Sequence, residues 1–232
     1  MTTTQTAGVP DPSLVTSARV NEALSALLTE ARLASRWNGL LRASQSAHHQ
    51  ILSAFLSHGR PPDIAAFSDD VLEDLGKRDL VHVRDGGIAL AYPFSTVATD
   101  FGVSVEGVGM HAVCAIDALG VAAMTSRRTE VSCRCPVCQV STSVTVAADG
   151  LTIEAASSRA ARVWAGVTEV GTCAADSQCK TMRLFCSPAH LATWLQNHAP
   201  TRGFDLTLEE GVQLGAAIFR PFLNDDVRED QY

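Results

Sequence analysis

The chain has 232 residues, enough for one large domain or two small ones sharing an interface. Its composition, 46% hydrophobic and 19% charged, is that of a globular protein in water, and a formal net charge of −7 argues against a nucleic-acid partner, which needs clustered Lys and Arg. No apolar run approaches the ~20 residues of a membrane helix, no leader pattern is visible at Met1-Thr2-Thr3, and seven cysteines, an odd number, fit a reducing cytoplasm where thiols serve as metal ligands or nucleophiles.

Residues 1–20 are rich in Thr, Ser, Ala and Pro without a periodic apolar face, which predicts a flexible tail. Leu24, Leu27, Leu28 and Ala31 then fall at helical spacing, as do Ile51, Ala54, Phe55 and His58 before the breaker Gly59-Arg60-Pro61-Pro62. Ser68 is placed to cap a short helix, with Asp69 and Asp70 at the positive end of its dipole. Residues 80–84 and 88–92, joined at Asp85-Gly86-Gly87, read as a β-hairpin. Helices followed by a hairpin are the plan of a winged helix. Between Ser46 and Asp100, however, four basic residues face eight acidic ones, so this module is a poor DNA reader and is expected to pack on the rest of the protein.

The second half changes character. Residues 131–135, 142–146, 151–155 and 162–167 are β-like runs separated by turn residues. Ser187-Pro188 opens a helix through Leu191, Trp194 and Leu195, and Thr207-Leu208-Glu209-Glu210 has the form of a capping box before a last helix through Leu214, Ala217 and Ile218. The expected fold is α+β: a tail (1–20), a helical, winged-helix-like N-terminal region (21–100), and a catalytic domain (101–232) built as a mixed β core with flanking helices.

Within Met110 to Leu119, Cys114 and Asp117 stand three apart in an apolar run. If the run is helical, both emerge on one face. A thiol near a helix N-terminus has its thiolate favoured, while a carboxyl lined by Ala115, Ile116 and Leu119 is pushed toward its protonated form. Such a pair can hold a soft metal and move a proton. The ordinary alternative is a small core cysteine beside an aspartate that bonds the backbone. Separately, Cys133-Arg134-Cys135-Pro136-Val137-Cys138 holds half of a zinc knuckle, which Cys173, Cys186 or His190 could complete.

The stretch His111 to Leu119, the following Arg127 to Val146, and Ser177 to Ser187 resemble the organomercurial (alkylmercury) lyases. In that family a Cys-x-x-Asp pair opens a helix and a second essential cysteine lies well downstream, before a strand ending in Phe and a small residue. Cys179 occupies that second position here. The resemblance covers roughly the last three fifths of the chain and, more loosely, the region before it.

It implies that Cys114 and Cys179 take mercury, with Asp117 also at the metal and relaying a thiol proton to the leaving carbon. An alkyl- or arylmercury compound would give hydrocarbon and Hg(II), the bound product, with no organic cofactor. Small cellular thiols or a mercuric reductase would accept the metal. The resemblance matches Cys135 to a family cysteine of structural role and leaves Cys133 and Cys138 as additions, with structural zinc at Cys133, Cys135 and Cys138 a minor reading. Val113, His111 and Lys180 depart from the family pattern without touching the three reactive groups. Two other classes stay open: a non-catalytic thiol-based metal-binding or sensing protein on the same fold, and a zinc-stabilised structural module.

Overall fold

The structure is a computed structural model that describes residues 10–30, 33–36, 40–168, 171–198 and 202–223. Residues 1–9 of the expected tail lie outside these. Residues 10–20 do not stand apart: the Asp11 amide donates to the Ala217 carbonyl at 2.7 Å, the Ser17 hydroxyl reaches Glu210 at 2.8 Å, and Val20 is fully buried.

Three helices follow, α1 (Ala18–Glu30), α2 (Arg42–His58) and α3 (Asp69–Lys77). In α2 the buried side chains Ala47, His48, Ile51, Leu52 and Phe55 recur at helical spacing, so one stripe faces the core. It ends where Gly59 turns left-handed at φ 71° and donates to the Phe55 carbonyl. Ser68 does sit at the N-cap of α3, but its hydroxyl makes no capping hydrogen bond.

The main sheet has eight strands in the order β1-β2-β3-β5-β4-β6-β7-β8. They are β1 (Val81–Arg84), β2 (Gly87–Ala91), β3 (Phe94–Ser95), β4 (Phe101–Val105), β5 (Val108–Ala112), β6 (Thr129–Arg134), β7 (Ser141–Val146) and β8 (Ile153–Ala156). A second sheet sets β10 (Met182–Phe185) and β11 (Gly203–Thr207) on either side of β9 (Arg162–Gly166). Every pairing among the described residues is antiparallel, where a mixed core was expected, and β1–β2, β2–β3 and β4–β5 are joined by two-residue turns. The β1–β2 turn carries positive φ at Asp85 (51°) and Gly86 (75°), the pattern of a type I′ hairpin. Through β3 this hairpin joins the main sheet, so the sheet runs across residue 100.

α4 (Ala115–Thr125) crosses from β5 over β4 to β6, touching these strands and also β10 of the smaller sheet. It is buried from Ala115 to Met124 and, apart from Asp117, apolar all round. It packs on α6 (Leu208–Phe219) with backbones nearly touching: a Cβ on Gly120 would lie 2.6 Å from the Gly215 carbonyl oxygen. The expected capping box opens α6, with Thr207 Oγ1 accepting from the Glu210 amide and the Glu210 carboxylate accepting from the Thr207 amide at 2.8 Å. α5 (Pro188–Asn197) follows β10 and buries one side chain, Leu191.

Candidate active site

The chain leaves β5 at Ala112, and α4 begins at Ala115. Cys114 is therefore not inside a helix but at its N-cap, in extended conformation (φ −148°, ψ 179°). Its sulfur accepts from the Asp117 amide at 3.5 Å, occupying the place a Ser or Asp oxygen takes in an ordinary cap. The three-residue spacing brings the two side chains together through capping geometry. Cys179 arrives from the other sheet, on the 3₁₀ turn Gln178–Thr181 that feeds β10. Gln178 fixes that turn by accepting from the Thr168 amide at 2.8 Å and donating to the Gly166 carbonyl.

The ligand atoms of Cys114, Asp117 and Cys179 all lie within 4.8 Å of one another. Cys179 Sγ is 4.0 Å from Asp117 Oδ2, and Cys114 Sγ is 3.5 Å from the Met182 sulfur. Exposure is 0% at Cys114, 5% at Asp117 and 7% at Cys179, so an ion here would sit out of bulk water. A pocket of about 390 Å³ opens onto Cys179, lined also by Phe101, Val113, Ala175 and Lys180, with the Asp100–Arg183 ion pair (2.7 Å) among its walls. A larger hollow of about 730 Å³ contains none of the three residues.

Burial governs the titration. It raises the Asp117 carboxyl to about 7, as expected, against smaller opposing effects from Cys114 and Arg36. Burial also raises the Cys114 thiol well above its usual range, opposite to the expectation from the helix end. For a fully enclosed sulfur the loss of hydration outweighs one capping amide. At Cys179 the hydrogen bond with Cys114 favours the thiolate, but burial and the Asp117 charge leave the thiol raised.

A second shell of charge was invisible in the sequence. Arg36, on the 3₁₀ turn Leu33–Arg36, pairs with Asp79 at 2.6 Å and stacks over the Tyr92 ring at 4.3 Å. Asp79 also accepts from the Ala174 amide at 3.2 Å and meets His82 Nε2 at 2.7 Å. Burial would lower His82, but Asp79 and Cys173 hold it up at about 9. Cys173 Sγ lies 3.7 Å from the Tyr92 hydroxyl, whose other contact is the Ala175 amide at 2.6 Å. These groups come from separate turns and strands that only the fold unites.

The three cysteines of the knuckle motif divide. Cys133 stands on the inward face of β6 with Val131, its sulfur in the main core and outside any metal-ligand cluster among the described residues. Strand alternation thus turns Cys133, expected as a minor zinc ligand, toward the core. Cys135 and Cys138 gather instead with Cys186 and His190.

The family model for alkylmercury lyase, MerB, matches residues 94–220, just over half of the chain. The chain belongs to the alkylmercury lyase family. No curated protein sequence matches it. Among solved structures, the mercury-bound form of MerB2 aligns with a TM-score of 0.67 over 89% of this chain and 98% of that one. At 19% sequence identity that likeness is one of fold, and it extends through the helical region that precedes the family match. This lyase acts on organomercurials, cleaving the carbon–mercury bond to hydrocarbon and Hg(II). Of the departures from the family pattern, Val113 and Lys180 line the pocket at Cys179, whereas His111 faces the larger hollow.

Proposed function

We propose that Cys114 and Cys179 are the mercury ligands of this lyase and that Asp117 carries a thiol proton to the leaving carbon. The observation that carries the reading is the enclosure of two thiols and a carboxyl within 4.8 Å at the end of a pocket. Protonolysis of R–Hg–X needs electron-rich ligands on mercury and a proton at carbon. Two thiols meet both needs: as their sulfurs bind the metal, one proton leaves with X and the other becomes the new C–H bond. A coordinating thiol loses its proton readily, so the raised values at Cys114 and Cys179 keep protons in the site until the soft cation arrives. Asp117, near half-protonated at about pH 7, is tuned to take that proton and return it.

Arg36 and Asp79 are then positioning residues that hold the wall behind Cys179. Mercury held by two buried sulfurs leaves by thiol exchange, so small thiols, and a mercuric reductase presenting thiols, are fitting acceptors in a reducing cytoplasm. No helix among the described residues is long and apolar enough to cross a membrane. We further read residues 101–232 as the catalytic unit and 21–100 as a helical support packed on it.

The test is release of benzene from phenylmercury in excess thiol, followed by headspace gas chromatography. Turnover with benzene and thiol-bound Hg(II) as products is expected. A stable phenylmercury adduct without benzene would favour the metal-binding alternative.

A further inference from the structure

We propose a resident zinc site, separate from the mercury site, formed by Cys135, Cys138, Cys186 and His190. The four ligand atoms lie within 4.8 Å of one another. Individual distances are 3.5 Å from Cys135 Sγ to His190 Nδ1, 3.6 Å from Cys138 Sγ to Cys186 Sγ, and 3.0 Å from Cys186 Sγ to His190 Nδ1. With Zn–S of about 2.3 Å and Zn–N of about 2.0 Å, a tetrahedron has S···S edges near 3.8 Å and S···N edges near 3.5 Å. The first two distances match those edges, and the third requires a small opening. Three sulfurs and one imidazole are a closed structural set with no position left for substrate.

The backbone is shaped for it. Cys135 and Cys138 flank a knuckle in which the Gln139 amide donates to the Cys135 carbonyl at 2.9 Å and the Cys135 amide donates to the Val140 carbonyl at 3.0 Å. Gln139 turns the chain at φ 60°. On the other side, Cys186 directly follows β10, and its carbonyl is fixed by the Ser158 hydroxyl at 2.8 Å. Ser187 caps α5 by accepting from the His190 amide at 3.3 Å, which sets the turn that carries the imidazole.

The location also needs a staple. α5 buries only Leu191, and its satellite core joins Cys135, Trp164, Phe185 and Leu191, apart from the main core. So small an apolar cluster contributes little on its own, and metals are a common remedy. A zinc ion here would tie the β6–β7 knuckle of the main sheet to β10 and α5 of the smaller one. The turn that carries Cys179 feeds the opposite end of β10, so the ion would steady the strand next to the second proposed mercury ligand.

The experiment uses the full chain, purified with a thiol reductant and zinc. Metal analysis should find about one zinc per chain. The Cys114→Ser/Cys179→Ser variant should keep it, whereas Cys138→Ser and His190→Ala should weaken it at least about tenfold. Cobalt(II) added to chelator-stripped wild-type protein should give the intense visible bands of a tetrahedral thiolate site, a readout available even if the variants fold poorly. Stripping should lower Tm and zinc should restore it. A zinc-free wild type with unchanged Tm, an octahedral cobalt spectrum, zinc lost only from the Cys114/Cys179 variant, or a Cys138–Cys186 disulfide in reduced protein would each overturn the proposal.

Discussion

Asp117 is the residue whose environment says most. Its carboxyl is raised from 3.8 to about 7 by burial, so the fold favours its neutral form. A raised pKa contributes stability that is complete below the unfolded value and is lost as pH rises through the folded one. Stability should therefore fall as pH climbs from about 4 to about 7 and level off above, and Asp117→Asn should flatten that part of a Tm-against-pH curve; an unchanged curve would mean that Asp117 is already ionised. Cys114, Asp117 and Cys179 were legible because each motif is local and the chemistry is written in residue type. The thiol tuning was not, since a sequence shows which residues flank Cys114 but not that the sulfur is fully enclosed. Arg36 was missed for a different reason. It acts across 43 positions on Asp79, and nothing in its surroundings marks one arginine as buried. Arg36→Met should leave the buried Asp79 carboxylate with only His82 and the Ala174 amide as partners and cost about 1.5–3 kcal/mol in a denaturant titration.

At the scale of elements, α4 is the piece on which the site depends. Its N-cap presents Cys114, its first turn presents Asp117, and its middle is pressed against α6 at Gly120 and Gly215. Gly120→Ala would drive a methyl into the Gly215 carbonyl and Phe219, so a loss of about 2–3 kcal/mol is expected by chemical denaturation, with a larger fall in activity than surface variants cause. If stability is unchanged, the helices are not in backbone contact. The caps of α5 and α6 and the β1–β2 hairpin could be read from short signals: Ser-Pro, Thr-x-x-Glu and Asp-Gly. The β4–β5 hairpin could not. Its turn places Glu106 and Gly107 at φ 51° and 85°, and Glu seldom occupies such a position, so Gly107 alone signals the turn there. The apolar run from Met110 then hid a strand-to-helix switch at Cys114, because short buried strands and helices look alike in hydropathy.

For the whole molecule, two sheets meet across α4, and each brings one of the proposed mercury ligands: Cys114 follows β5 of the larger, and Cys179 precedes β10 of the smaller. The helical N-terminal part was legible as helices, but not that it sets the Arg36–Asp79 pair within electrostatic reach of Asp117 and Cys179. The α+β class followed from the order of helical and β-like segments. Strand pairing did not, since β4 lies between β5 and β6 only because α4 carries the chain over it. The central claim is that this assembly breaks the bond as well as capturing the metal, and Asp117→Asn separates those steps because the amide keeps the shape but cannot relay a proton. The decisive measurement follows phenylmercury in wild type and variant by mass spectrometry of the protein adduct and gas chromatography of the headspace. The variant should capture phenylmercury through Cys114 and Cys179 yet release benzene at least about 100-fold more slowly. Equal benzene release from both proteins would contradict the assignment of Asp117, and capture without release by either would contradict the proposed chemistry.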